Sequence, residues 1–407
     1  MEPAVVPPVD VFQRGDLDLF GSSLLQPAPA ALAARQLVTR GVRAETATTT
    51  ASGYRVLVSR YQRKRVNSML HRALESADDL VVTSFYADSP GEESQYNQVH
   101  GLPSSCAGFH RVYYRCIMAL MASSVQCNPR ARHLVVCNVE HLPTVDGIDC
   151  NEFLAHLGVE VVTLPLTFAA PPGYSASWRA CFYLLDVLLY LARVLAPDDA
   201  ALVMDCDCVC VRNLDEAFAE SRSAGSLFYL ADYPPDTEIN GLSRMARRAI
   251  FEEAAGYQTC EVPVHVGGEF LGLSGRSAAA VASACRDIWI QQLRRFSEGR
   301  SVLPTEEHIL SYAAWRLGLD VGGADKYCRR IWTSYGYTTS AKSDLSLAVW
   351  HLPAEKQYSL RRLWLALARN RGPLSGPMRA QRLGDLARRC GIPQRSAGKR
   401  MLDLGGS

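Results

Sequence analysis

Lysine is nearly missing from this sequence. Of 43 basic residues only five are Lys, at positions 64, 326, 342, 356 and 399, and the other 38 are Arg. With the abundance of Ala, that bias points to a GC-rich bacterial coding sequence and says little about chemistry. An excess of charge of either sign is also missing. The formal net charge is +2, so nothing in the total calls for nucleic acid or an acidic polymer as partner. Closely paired cysteines of the CxxC kind do not occur among the 13 Cys, and the count is odd. This pattern predicts reduced thiols in a cytoplasmic protein, not a secreted disulfide framework. Long apolar runs are lacking too. Residues 1–50 hold Asp10, Asp16 and Asp18 and no unbroken apolar core of a secretory signal. The most apolar stretch, CFYLLDVLLYLARVLA at 181–196, is shorter than the roughly 20 residues of a membrane span. Asp186 and Arg193 interrupt it, so it reads as a buried helix.

What is present is a chain of 407 residues with 48% hydrophobic content, enough for a sizeable core. Residues 1–53 carry Pro pairs, Ala runs and ETATTTAS, and read as a flexible tail with a short helix near 29–40. Residues 54–78 read as an extension, a strand at 54–59 and a basic helix at 60–76.

From residue 79 the pattern alternates. Apolar runs at 79–85, 133–139, 159–165 and 201–205 suit buried parallel strands. Helical stretches at 111–125, 151–158 and 177–195 lie between them. This alternation predicts an α/β domain over 79–357, a mostly parallel Rossmann-like sheet with flanking helices. Ligands of such sheets bind beyond the carboxyl ends of the strands. Residues 351–407 hold twelve Lys/Arg against three acidic residues, and 358–407 is the part that follows the domain. They predict a basic, partly helical, solvated appendage, with a membrane surface or an anionic acceptor as the sharper alternative.

The most informative segment is DDAALVMDCDCVCVRNLDEAF at 198–218. An apolar strand runs into Asp205-Cys206-Asp207. Extended backbone alternates side chains, so both carboxylates are expected on one side. Two carboxylates there suit a hard cation, Mg²⁺ or Mn²⁺, that bridges diphosphate oxygens. Cys206, Cys208 and Cys210 lie too far apart along a strand for one tetrahedral zinc ion, and are expected to pack as small apolar residues.

Strand, DxD, short strand and the NLDEAF helix start together resemble the DxD-bearing glycosyltransferases of GT-A fold. Further segments resemble retaining families of that group. VHVGGEFLGLS at 264–274 is similar to their GGxFxG strand beside the donor sugar, with Glu269 where an aromatic stands. TEEHILS at 305–311 is similar to a segment where a helix begins at the active site. HLPAEK at 351–356 resembles a shortened HxxGxxKPW motif. The resemblance implies Asp205, Asp207 and His351 as metal ligands, with Lys356 on the diphosphate. It places Glu306, Glu307 and Glu269 at the reacting sugar. It implies donor contacts from Thr83, Phe85, Tyr86, Asp88, Arg179, Asp186, Asp205, Gly267 and Gly268. The implied activity is transfer of a sugar from a nucleotide-diphosphate donor to a small-molecule or lipid-linked acceptor, with retention or inversion of configuration left open.

Thr305 is placed to cap the helix that follows it, and Arg179 and Asp186, seven apart, would share a helix face. Nucleotidyl transfer to a sugar phosphate is an alternative on the same layout. It asks for a basic Gly-rich loop after the first strand, and 87–105 has Gly91 and Gly101 but no Lys or Arg. A catalytically silent domain is a third reading, marked by loss of the metal pair, and both aspartates are present.

Overall fold

The structure, a computed structural model, describes residues 78–94, 99, 101–175, 179–259, 261–334, 337–369 and 380–394. The expected tail at 1–53 and the strand and helix at 54–76 lie outside the described residues.

Six strands form the main sheet. They are β1 (Asp79–Phe85), β2 (Arg132–Cys137), β3 (Glu160–Thr163), β4 (Ala200–Met204), β6 (Ser226–Leu230) and β7 (Val266–Ser274). A seventh strand, β5 (Cys208–Cys210), leaves this sheet for a smaller one. The spatial order is β3-β2-β1-β4-β7-β6. The first four run parallel, and β7 runs antiparallel to both β4 and β6. The mixed α/β architecture with a mostly parallel, Rossmann-like sheet is therefore as the alternation predicts.

The period of two along β1 decides the layering. Val81 and Phe85 face one hydrophobic cluster, and Leu80 and Val82 face the other. Helix α1 (Ala107–Cys127) fills the first face, where Ile117, Met118 and Leu120 are fully buried. Each such side chain contributes about 1.5–3 kcal/mol by leaving water. Helix α1 stops at Asn128, with Pro129 following. The Asn128 Oδ1 accepts from the Leu214 amide at 2.7 Å, tying the helix end to the chain beyond β5. Helix α2 (Cys150–Leu157) is capped by Asp149 and ends at left-handed Gly158. The second face is covered by α3 (Tyr183–Val194) and α6 (Gly275–Ser297). The described residues also hold α4 (Asp215–Ala224), α5 (Arg244–Ala255), α7 (Glu306–Leu317), α8 (Ser359–Arg369) and α9 (Ala380–Cys390).

The helix expected from Ser177 begins later. Arg179–Phe182 forms a 3₁₀ turn, and Ser177 itself lies outside the described residues. Within the stretch 181–196, Tyr183–Val194 forms a helix whose Leu185, Val187, Leu188 and Leu191 are buried. Among the described residues no helix is long and apolar enough to cross a membrane.

Residues 358–369 are no solvated appendage. Leu360, Trp364 and Leu367, at helical spacing on α8, are buried in the same cluster as α1. Trp364 packs edge-on to Phe153 at 5.1 Å and donates its Nε1 proton to Asp146 at 2.9 Å. The basic residues of α8 occupy its other face, so their number hid the apolar stripe beside them.

A second sheet has the order β8-β9-β5, with β8 at Cys328–Arg330 and β9 at Val349–His351. It brings the far C-terminal part of the chain to the end of β4.

Candidate metal site

Strand β4 ends at Met204, and the next three residues do not continue as extended chain. Asp205-Cys206-Asp207 forms a tight turn closed by the Cys208 amide on the Asp205 carbonyl at 3.1 Å. The alternation argument for the two aspartates therefore does not apply. The turn itself brings them together while it hands the chain from one sheet to the other. Cys206, Cys208 and Cys210 are buried as small apolar groups, and every described cysteine is free.

His351 arrives by strand pairing. Strand β9 runs antiparallel to β5 with His351 opposite Cys208, and the Leu352 amide donates to the Asp207 carbonyl at 3.1 Å. The imidazole Nε2 lies 3.4 Å from Asp205 Oδ2 and 3.3 Å from Asp207 Oδ2. One ligand atom from each of the three residues lies within 4.8 Å of the others, so the cluster could hold a metal ion. Its composition, two carboxylates and one imidazole, fits a divalent cation that takes oxygen ligands and accepts a nitrogen. The Asp205 side chain is 52% exposed, which leaves the cluster open on one side.

Lys356 follows the turn at Pro353–Glu355 and donates to Asp207 Oδ2. Its ammonium also lies over the Tyr113 ring, 5.6 Å from the centroid. Burial alone would raise the proton affinity of Asp207. Lys356 and His351 outweigh it and hold the carboxyl well below the usual range. The same partners work in reverse on His351, where the aspartates outweigh burial and raise the imidazole above its ordinary value.

Strand β7 lies beside β4 and carries the glycines. Its pairing with β6 jumps between Gly267 and Leu271, so Gly268, Glu269 and Phe270 bulge out of the ladder with β6. The Asp205 amide donates to the Glu269 carbonyl at 3.1 Å, placing this bulge against the DxD turn. Glu269 is fully buried, with Oε1 2.8 Å from Arg330 Nε and 3.8 Å from His351 Nδ1.

Arg330 continues from Glu269 to Glu307, donating at 2.9 Å to each. Glu307 also accepts from Asn240 at 2.9 Å and from the Gly268 amide at 3.2 Å, and its Oε2 lies 3.1 Å from His265 Nε2. Burial opposes its charge, but Arg330 and His265 prevail and keep it ionised far below the usual range. Glu306 has the opposite fate. Burial and the charge of Glu307 push it up to about 8. Its Oε2 is buried without a hydrogen-bond partner among the described residues. A Cβ on Gly268 would stand 3.2 Å from Glu306 Oε1, so the glycine keeps backbone and carboxyl in close approach.

Thr305 sits at the cap position of α7 without capping it. Its hydroxyl lies 2.8 Å from His308 Nδ1 instead, because the buried imidazole needs a partner more than the helix end does.

The expected donor contacts at the end of β1 are arranged as follows. Thr83 is buried and donates to the Met204 carbonyl at 2.8 Å, joining β1 to β4. Phe85 stacks on Tyr113 at 5.0 Å and lies in the core. Tyr86 is half-buried against Tyr183. Asp88 accepts from Ser104 at 2.6 Å and from the Ser94 hydroxyl at 3.3 Å, leaving buried Oδ1 without a partner among the described residues. Arg179 and Asp186 do not meet. Arg179 reaches the Ala170 carbonyl at 3.5 Å, and buried Asp186 accepts the Thr167 amide at 2.9 Å and the Thr167 hydroxyl. A 3₁₀ turn before α3 takes Arg179 off the face that Asp186 occupies.

The structure adds residues that the sequence did not single out: Arg330, His265, Asn240 and Tyr113. Only His265 had a signal, its place beside the glycine pair. Arg330 is one of 38 arginines on a short strand with no motif around it.

No protein-family model matches this chain, and no curated protein matches it.

Proposed function

We propose that this chain is a metal-dependent glycosyltransferase of GT-A fold, moving a sugar from a nucleotide-diphosphate donor to a small-molecule or lipid-linked acceptor. One observation carries the reading. Asp205, Asp207 and His351 converge at the carboxyl end of β4, Lys356 sits on Asp207, and a carboxyl group of raised proton affinity, Glu306, lies beside the glycine bulge. The local order supports it: strand β4, the DxD turn, strand β5 and the helix from Asp215 follow as the resemblance implies.

The ion held by Asp205, Asp207 and His351 would be Mn²⁺ or Mg²⁺, and it would offset the charge developing on the departing diphosphate. Lys356 would bind a phosphate oxygen from the other side. Gly267 and Gly268 would let the donor sugar lie against the backbone of β7. Glu307, fixed by Arg330, His265 and Asn240, would position this wall. Glu306 holds a proton at neutral pH and would donate a hydrogen bond to a sugar hydroxyl. Glu269 would orient His351 and Arg330 from beneath.

The test is calorimetric binding of UDP, GDP, TDP and ADP, with and without Mn²⁺, to wild type and Asp207→Ala. Metal-dependent binding of a nucleotide, lost in the variant, is the expected result. Failure of all four to bind would remove the basis for a sugar-nucleotide donor.

A further inference from the structure

Lys356 and His351 approach the same oxygen of Asp207. The Lys356 ammonium donates to Asp207 Oδ2, and that oxygen also lies 3.3 Å from the Nε2 of His351, a member of the candidate cation cluster. Both partners are buried, and the lysine is held over the Tyr113 ring. In a chain that uses Arg for nearly every cation, this position holds one of five lysines. An ammonium is a compact charge on a flexible stem, whereas a guanidinium would grip the carboxylate with a rigid fork. The residue at 356 is therefore one that can let go.

We infer that Lys356 is a built-in substitute cation, which makes metal and diphosphate bind weakly alone and tightly together. The inference rests on the metal-site reading above. Without metal, the ammonium neutralises the buried Asp207. A divalent ion such as Mg²⁺ on the same oxygen would sit about 2.0–2.1 Å from it, too close to an ammonium for either cation to be comfortable. An anion with several oxygens relieves the conflict by accepting from Lys356 while it joins the metal. Each ligand then strengthens the other by the same factor. The coupling is carried by one side chain that has two partners, Asp207 and the anion.

The experiment measures Mn²⁺ alone, by the electron-spin resonance of the free ion, on wild type, Lys356→Met, Lys356→Gln and Asp207→Ala. Both Lys356 variants are expected to bind Mn²⁺ at least about tenfold more tightly than wild type, since a neighbouring positive charge is gone. Inorganic pyrophosphate, corrected for the complex it forms with Mn²⁺ in solution, should raise the Mn²⁺ affinity of wild type by roughly 5- to 150-fold and that of the variants much less. Folding of a Lys356 variant only when Mn²⁺ is added would support the inference, because the ion then replaces the ammonium. Unchanged or weaker Mn²⁺ binding in both Lys356 variants, with wild type binding and Asp207→Ala silent, would overturn the inference and leave the metal site standing. Failure of both Lys356 variants to fold even in millimolar Mn²⁺ would also overturn it. No Mn²⁺ binding by any form would overturn the metal-site reading along with it.

Discussion

Glu306 and Glu307 are adjacent in sequence, yet their surroundings drive their proton affinities in opposite directions. Glu307 is buried among Arg330, His265, Asn240 and the Gly268 amide and stays charged. Glu306 meets burial and the charge of Glu307, and is pushed up to about 8. Such a split gives two neighbouring carboxyls different chemical roles.

The pH dependence of stability follows from that split. The folded Glu306 carboxyl holds its proton more tightly than the unfolded chain does. The stability it confers is thus present at acid pH and is lost as the pH rises from the ordinary Glu range toward about 8. Glu306→Gln keeps the shape of the neutral acid and removes this loss. Urea midpoints of wild type and variant should be close near about pH 4 and separate near about pH 8.5, with the variant the more stable. A constant difference across that range would show that Glu306 does not titrate there.

Arg330 bridges Glu269 and Glu307, and it is largely buried with them. Arg330→Met would take the guanidinium from two buried carboxylates. The expected destabilisation is about 3–5 kcal/mol, read from urea unfolding. The loss should shrink at lower pH, where the carboxylates can take up protons. A variant of wild-type stability would mean that solvent reaches both carboxylates.

Two neighbouring glycines should differ sharply. A Cβ at Gly267 would stand 2.6 Å from the Tyr229 ring and 2.3 Å from Glu269 Oε2, whereas at Gly268 the nearest atom is 3.2 Å away. Gly267→Ala should therefore destabilise by about 1–3 kcal/mol through overpacking and disturb Glu269. Gly268→Ala should fold normally and act on donor binding alone. Thermal melts together with nucleotide binding separate the two effects, and equal melting temperatures would contradict the packing.

Trp364 tests whether the basic C-terminal helix belongs to the core. It is fully buried, packs on Phe153 and bonds Asp146. Trp364→Ala should cost about 3–5 kcal/mol, while Arg361→Ala on the exposed side of the same helix should stay within about 0.5 kcal/mol. A mild Trp364 variant would return α8 to the status of an appendage.

The periodicity of the sequence was enough for the sheet. Runs such as DLVVTSF and ALVMD are apolar at every position because strands buried on both faces need it, and they became β1 and β4. The aspartate pair was legible for the same reason, since carboxylates directly after a buried strand are conspicuous. The C-terminal helix was misread because twelve basic residues drew attention from Leu360, Trp364 and Leu367. The Arg179–Asp186 pairing failed because spacing presumes one continuous helix, and a 3₁₀ turn intervenes.

What the sequence determined by itself is therefore the α/β alternation, the location of Asp205 and Asp207 and the glycine strand beside them. These depend on neighbours within a few residues, where hydrophobic period and backbone freedom act directly. Only the tertiary structure decided that His351 stands opposite Cys208, that Lys356 rests on Asp207, and that Arg330 joins Glu269 to Glu307. Those relationships span 61 residues between Glu269 and Arg330 and 149 between Asp207 and Lys356. Strand pairing and the balance of burial against buried charge fix them, and neither leaves a local mark on the chain.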